Sequence, residues 1–224
     1  MDKPAKEIPF VDIHTHHFVE REGVVALFNL MWHERAVNPL PPDLPHSLGV
    51  HPWFMEEEAA LPPEEAFHSK NVVAIGEAGL DKLRGVSLEV QRTFFRYHIQ
   101  LSEALSKPLI IHNVRMTHEI VAHYDRQHPK MPWVLHGFIG NSQQAEMLLK
   151  RNFYFSLGAP SFQSIKTVEA LPLIPVERLF LETDEGTHPI EYLYQQLSEA
   201  RDIPLNRLKE LLFRNFHQLF SSCS

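Results

Sequence analysis

The stretch "VVAIGEAGLDKLRGVSLEVQRTFFRYHIQLSEALSKPLIIHN", residues 72–113, holds two apolar runs with an amphipathic segment between them. The flanking runs, "VVAIGEAGL" and "PLIIHN", are almost continuously apolar, which is the mark of strands covered on both faces. Over 89–106, Val90, Phe94, Tyr97, Leu101 and Leu105 share one helical face, while Glu89, Arg92 and Arg96 point elsewhere. A strand, a crossover helix and a second strand make one parallel unit of a buried sheet.

Similar apolar runs recur on both sides: "FVDIHTH", "VVALFNL" and "HSLGVHPW" before this unit, "WVLHGF", "FYFSLG" and "RLFLETD" after it. Helical spacing also appears at roughly 117–126, 142–151, 162–171, 190–200 and 205–220. Eight strands with interleaved helices predict a distorted (β/α)8 barrel of the TIM type, a single domain over 1–224. Residues 21–48 leave room for one strand and a proline-rich loop but no helix, so the barrel is expected to be abbreviated in its first third. An open doubly wound sheet is the competing architecture.

The chain has 224 residues, 44% hydrophobic and 22% charged, enough for one sizeable core. With 21 Lys+Arg against 28 Asp+Glu the net charge is −7, so the surface as a whole cannot act as a polyanion-binding field, and any nucleic acid contact must be local. The lone Cys223 rules out an internal disulfide and is expected to be an inert tail thiol. "MDKPAKEIPF" lacks the apolar core of a signal peptide, and no membrane span is expected, so a cytoplasmic protein without an obligate protein partner is the expectation. Histidine is in excess: 15 residues against 9 glycines.

Three of those histidines crowd into "FVDIHTHHF", residues 10–18. Strand alternation places His14 and His16 on one side and His17 on the other. His-x-His can be a plain polar strand terminus or half of a metal site. Polar residues suited to metals also end four other apolar runs: Glu77, His112, His136 and Asp184. In a barrel all five strand ends converge on one face, and polar groups emerging from buried strands are costly unless satisfied. Four imidazoles and two carboxylates suffice for two divalent ions, of Zn, Mg or Mn type.

"DIHTHH" (12–17), "GVHPW" (49–53), "GEAGLD" (76–81), "IIHNVR" (110–115), "HGFIGN" (136–141) and "ETD" (182–184) together resemble the TatD-related metal-dependent deoxyribonucleases of the amidohydrolase-like superfamily. The resemblance implies that His14, His16 and Asp184 hold one metal and that His112 and His136 hold the other, with Glu77 bridging. It also implies that His51 faces the substrate phosphate and that DNA or another phosphodiester is the substrate. The segment before "GVHPW" is shorter than that family usually has, and "ETDEGTHP" lacks the proline that commonly follows the Asp motif closely.

Two ions would lower the pKa of a bridging water and present it as hydroxide, with Asp184 orienting it or accepting its proton. Lys82, Arg84 and Arg115 lie beyond the same strand ends, as phosphate clamps or as solvated basic surface. Asp81 is either an acid near the leaving group or a loop cap. Glu182, two residues before Asp184, is read as support for a ligand or as the partner of a lysine. A dinuclear amidohydrolase or lactonase acting on a small carbonyl substrate is the alternative, as is a catalytically silent metal- or nucleic-acid-binding barrel. The first of these commonly bridges its metals with a carboxylated lysine after the fourth strand, where this chain has Glu77.

Overall fold

The computed structural model describes residues 7–35 and 44–220. Cys223, part of the N-terminal stretch and most of the proline-rich loop lie outside them. Eight strands, β1 (Phe10–Thr15), β2 (Val24–Met31), β3 (His46–Gly49), β4 (Val72–Asp81), β5 (Leu109–Val114), β6 (Trp133–Leu135), β7 (Phe153–Leu157) and β8 (Leu179–Leu181), form one sheet in chain order, each parallel to the next. The chain beyond β8 then returns to β1: Asp184 N donates to His14 O at 2.9 Å, and His16 N donates to Asp184 O at 3.2 Å. That contact closes the barrel and excludes the open doubly wound sheet.

Helices α1 (Leu88–Leu105), α2 (Thr117–Gln127), α3 (Ser142–Leu149), α4 (Ala159–Gln163), α5 (Ile165–Ala170), α6 (Ile190–Arg201) and α7 (Leu205–Phe220) all follow β4. Residues 16–23 join β1 to β2 without a helix. Eight extended residues reach roughly 26–29 Å, enough to bring the chain back beside a six-residue strand of about 20 Å. The single helix expected over 162–171 is two, because Ser164 is extended (φ −91°, ψ 106°) and breaks it. The buried face of α1 also lies off the expected one. Gln91, Phe94, Phe95, His98, Ile99, Leu101 and Ser102 turn inward, while Val90, Tyr97 and Leu105 are half-buried.

Val11, Ile13, Leu27, Ala74, Ile110, Val134 and Phe180 form one cluster that fills the barrel interior. Phe216, Leu219 and Phe220 of α7 join them and close one end. A larger outer layer, with Leu48, Phe95, Ile111, Trp133, Phe155 and Tyr194, packs the helices onto the barrel. The opposite end, where the strands finish, is the one left for polar groups. Among the described residues no helix is long and apolar enough to cross a membrane.

Candidate active site

Glu77 stands at the centre of the C-terminal face, almost wholly buried on β4. One carboxylate oxygen, Oε1, lies 2.6 Å from His136 Nε2, 2.7 Å from His112 Nδ1 and 3.2 Å from His51 Nε2. The other, Oε2, faces His14 Nε2 at 3.2 Å and His16 Nε2 at 3.9 Å. Asp184 closes the second group, with Oδ1 at 3.4 Å from His16 and 3.7 Å from His14. Residues from β1, β4, β5, β6 and the end of β8 therefore meet at one point. Glycine makes the approach possible: a Cβ on Gly79 would lie 1.9 Å from the carbonyl oxygen of His112.

The β1 pair arrives by a route simple alternation does not describe. Val11 and Ile13 point into the barrel, so strict period two would send His14 outward with Asp12. The β1–β2 register shifts between Asp12 and Thr15, and this irregularity turns His14 to the site. Asp12 stays on the outer side and ties β1 to β8, accepting from Thr183 Oγ1 at 2.7 Å and Thr183 N at 3.0 Å. His17 leaves the cluster, within 3.0 Å of the Gly186 carbonyl. Asp184 itself takes φ +52°, which a short polar side chain tolerates.

Second partners set which ring nitrogen faces inward. Glu182, 1% exposed, accepts from His136 Nδ1 at 3.2 Å, so Nε2, 2.6 Å from Glu77 Oε1, is the nitrogen that would give up its proton to a metal. Asp81 Oδ2 lies 3.2 Å from His112 Nε2, so Nδ1, 2.7 Å from Glu77 Oε1, is the nitrogen of that ring turned to the cluster. The same carboxylate accepts from Trp53 Nε1 at 2.6 Å and caps the amides of Leu83 and Arg84. Asp81 thus orients the His112 ring and caps a loop at once.

His51 is the opposite case. Its Nδ1 accepts from the Trp53 amide at 3.1 Å, so the neutral ring carries its proton on Nε2 and presents a donor to the cluster. Proximity alone would group His51 with Glu77 and His112 as a ligand set; the tautomer makes it a hydrogen-bond donor instead.

The donor set suits divalent cations. His14 is fully buried, yet neither of its ring nitrogens makes a hydrogen bond of good geometry. An imidazole so placed needs another partner, and the His14, His16 and Asp184 donor atoms lie within 4.8 Å of one another. Burial and the neighbouring His14 push the His16 pKa down to about 4, which keeps its lone pair free. Burial would raise the Glu77 pKa, but the imidazoles around it, His136 foremost, hold it well below the ordinary carboxylate range.

Lys82, Arg84 and Arg115 are exposed on the rim. Arg84 lies over the Trp53 ring, 3.9 Å from its centroid, and none of the three forms an ion pair with the site's carboxylates. Asn29 was not foreseen. Fully buried on β2, it donates to Glu77 Oε2 at 3.4 Å, contacts His16 Nε2 at 3.3 Å and accepts from the Glu77 amide at 3.0 Å. Its signal was a lone amide in the apolar run "VVALFNLM".

An eight-stranded parallel barrel with imidazoles and carboxylates gathered at its C-terminal face defines the class of barrel metal hydrolases. Residues 29–221 match the family described as TatD related DNase, and the chain belongs to that family. It is a metal-dependent hydrolase. It is 31% identical over 195 residues to the uncharacterised metal-dependent hydrolase YabD of Bacillus subtilis, covering 78% of this chain and 76% of that one. Over 147 residues it is 35% identical to the 3'-5' ssDNA/RNA exonuclease TatD of Pantoea ananatis, covering 61% of this chain and 55% of that one. The crystal structure of YjjV, a TatD homologue from Escherichia coli, superposes with a TM-score of 0.78 at 24% identity, covering 95% of this chain and 98% of that one. The family match begins at Asn29, so His14 and His16 join the site through the fold.

Proposed function

We propose that the protein hydrolyses phosphodiester bonds in nucleic acid, with two divalent ions held by His14, His16 and Asp184 on one side and His112 and His136 on the other, bridged by Glu77. The carrying observation is the division of Glu77: its two oxygens face two different groups of imidazoles. When bound, such ions lower the pKa of water and neutralise charge on a phosphoryl group. His51 donates its Nε2 hydrogen to a phosphate oxygen, a role its tautomer fits. Asp184, whose side chain is the most exposed carboxylate of the cluster, accepts a proton from the attacking water. Asp81 and Glu182 hold His112 and His136 in place, while Lys82, Arg84 and Arg115 give the rim positive charge.

The carbonyl-substrate alternative is weakened by Lys107. Its Nζ donates to the carbonyls of Phe67 at 2.6 Å and Ser69 at 3.1 Å, before β5 begins and away from the strand ends that carry the site. The purified protein should be assayed, with metal content determined, on a chromogenic phosphodiester beside ester and amide panels. Hydrolysis of the phosphodiester is expected; hydrolysis of esters or amides alone overturns the proposal.

A further inference from the structure

Immediately after His51 the chain makes a single 3-10 turn, Pro52–Phe54, which the His51 side chain caps. This turn sets two aromatic rings on the wall of the carboxylate cavity, alongside Met31, His51 and Glu77. The two rings are held differently. Trp53 is tied at its indole nitrogen to Asp81 and covered by the Arg84 guanidinium. Phe54 has His33 stacked on it, with ring centroids 4.4 Å apart and planes 29° apart, and is still 43% exposed. Among the described residues it is the one aromatic side chain among the exposed large hydrophobics.

We infer that Phe54, backed by His33, is a stacking platform for a nucleobase next to the scissile phosphate. The inference rests on the phosphodiesterase reading and adds to it the residue that receives the base beside the cleaved bond. The Phe54 ring centroid is 5.6 Å from that of His51, the donor assigned to the phosphate, so a base one ribose away from that phosphate comes within reach of the ring. The other face of the ring is already taken by His33, which fixes the orientation of the platform before the base arrives. Every base has a π-face, so the platform accepts any sequence but requires that the base be unstacked from a duplex. Arg84 over Trp53 leaves Phe54 as the ring open to this contact.

The test compares oligonucleotides that differ only in whether the nucleotide flanking the cleaved bond carries a base or is abasic. For the wild type, kcat/KM should favour the base-bearing end by about tenfold. Phe54→Ala should bring that ratio close to one, and Phe54→Trp should restore it. A 2-aminopurine at the same position should be quenched on binding to the wild type and less so with Phe54→Ala. A ratio unchanged by Phe54→Ala overturns the stacking inference while leaving the phosphodiesterase reading intact. Failure of the wild type to cleave either oligonucleotide overturns that reading and this inference together.

Discussion

Glu182 Oε1 lies 3.2 Å from Nδ1 of His136 and 2.6 Å from the amide nitrogen of Gly137, so one buried oxygen fixes both the ring and the backbone at the end of β6. The contact decides which imidazole nitrogen is free. In Glu182→Gln the amide oxygen still accepts, but the negative charge that makes the ring a stronger donor to metal is lost. Metal affinity should fall roughly 10–100-fold with the fold intact. Competition against a chromophoric chelator measures this, and an unchanged affinity removes Glu182 from the site's support.

Asn29 acts on Glu77 in a comparable way, from the neighbouring side. Its Oδ1 accepts from the Glu77 amide at 3.0 Å and from Ser47 Oγ at 2.9 Å, both in the interior. Asn29→Ala leaves those donors without a partner, at a cost of about 1–3 kcal/mol. For a chain of this size that corresponds to a Tm lower by about 2–12 °C. Calorimetry should show the loss even in the presence of a chelator, which separates it from any effect on metal.

The convergence of these imidazoles and carboxylates was legible because each ends an apolar strand: a costly polar residue at a buried strand end is a signal that one chain alone can carry. The barrel was legible for the same reason, from the runs that alternate with helices after β4. Asn29 was not, since a buried amide in a strand looks like a break in an apolar run until its partners on β3 and β4 are seen. The inward face of α1 was misplaced because Gln91, His98 and Ser102 are buried there through hydrogen bonds, which hydrophobic spacing does not register. Gln91, for instance, accepts from the Asp81 amide at 2.8 Å, and its side-chain nitrogen lies within hydrogen-bond distance of the carbonyls of Asp81 and, in the loop after β4, Arg84 and Val86. His14 and His16 lie together beside Glu77, but not by simple alternation, which the register shift at Asp12–Thr15 interrupts.

Removing metal should loosen the protein. An ion present at a hundred times its dissociation constant stabilises the native state by about 2.7 kcal/mol, so chelation should lower the Tm by about 5–11 °C for each ion bound. Glu77→Gln, which weakens the bridge between the two groups of imidazoles, should shrink that difference. A wild-type Tm that does not respond to chelator would contradict metal binding at this cluster.

The last prediction concerns His98, fully buried on α1 and remote from the carboxylates. Its Nε2 accepts from the Val50 amide at 3.1 Å and its Nδ1 donates to the Phe94 carbonyl at 2.8 Å, so it pins the residue that precedes His51. Burial pushes its pKa down to about 4 from 6.5. Between those values the unfolded chain binds a proton that the native one refuses, so stability falls as pH drops below 6.5. Asp12 works in the opposite sense, because burial raises its carboxyl to about 6 and the native state there binds the extra proton. Comparing wild type with His98→Gln cancels Asp12, which both share. Urea unfolding with chelator present should show the wild type losing about 2 kcal/mol more than the variant on going from pH 7.5 to 5. Equal losses in the two proteins would mean that His98 titrates in the native state much as it does in the unfolded chain.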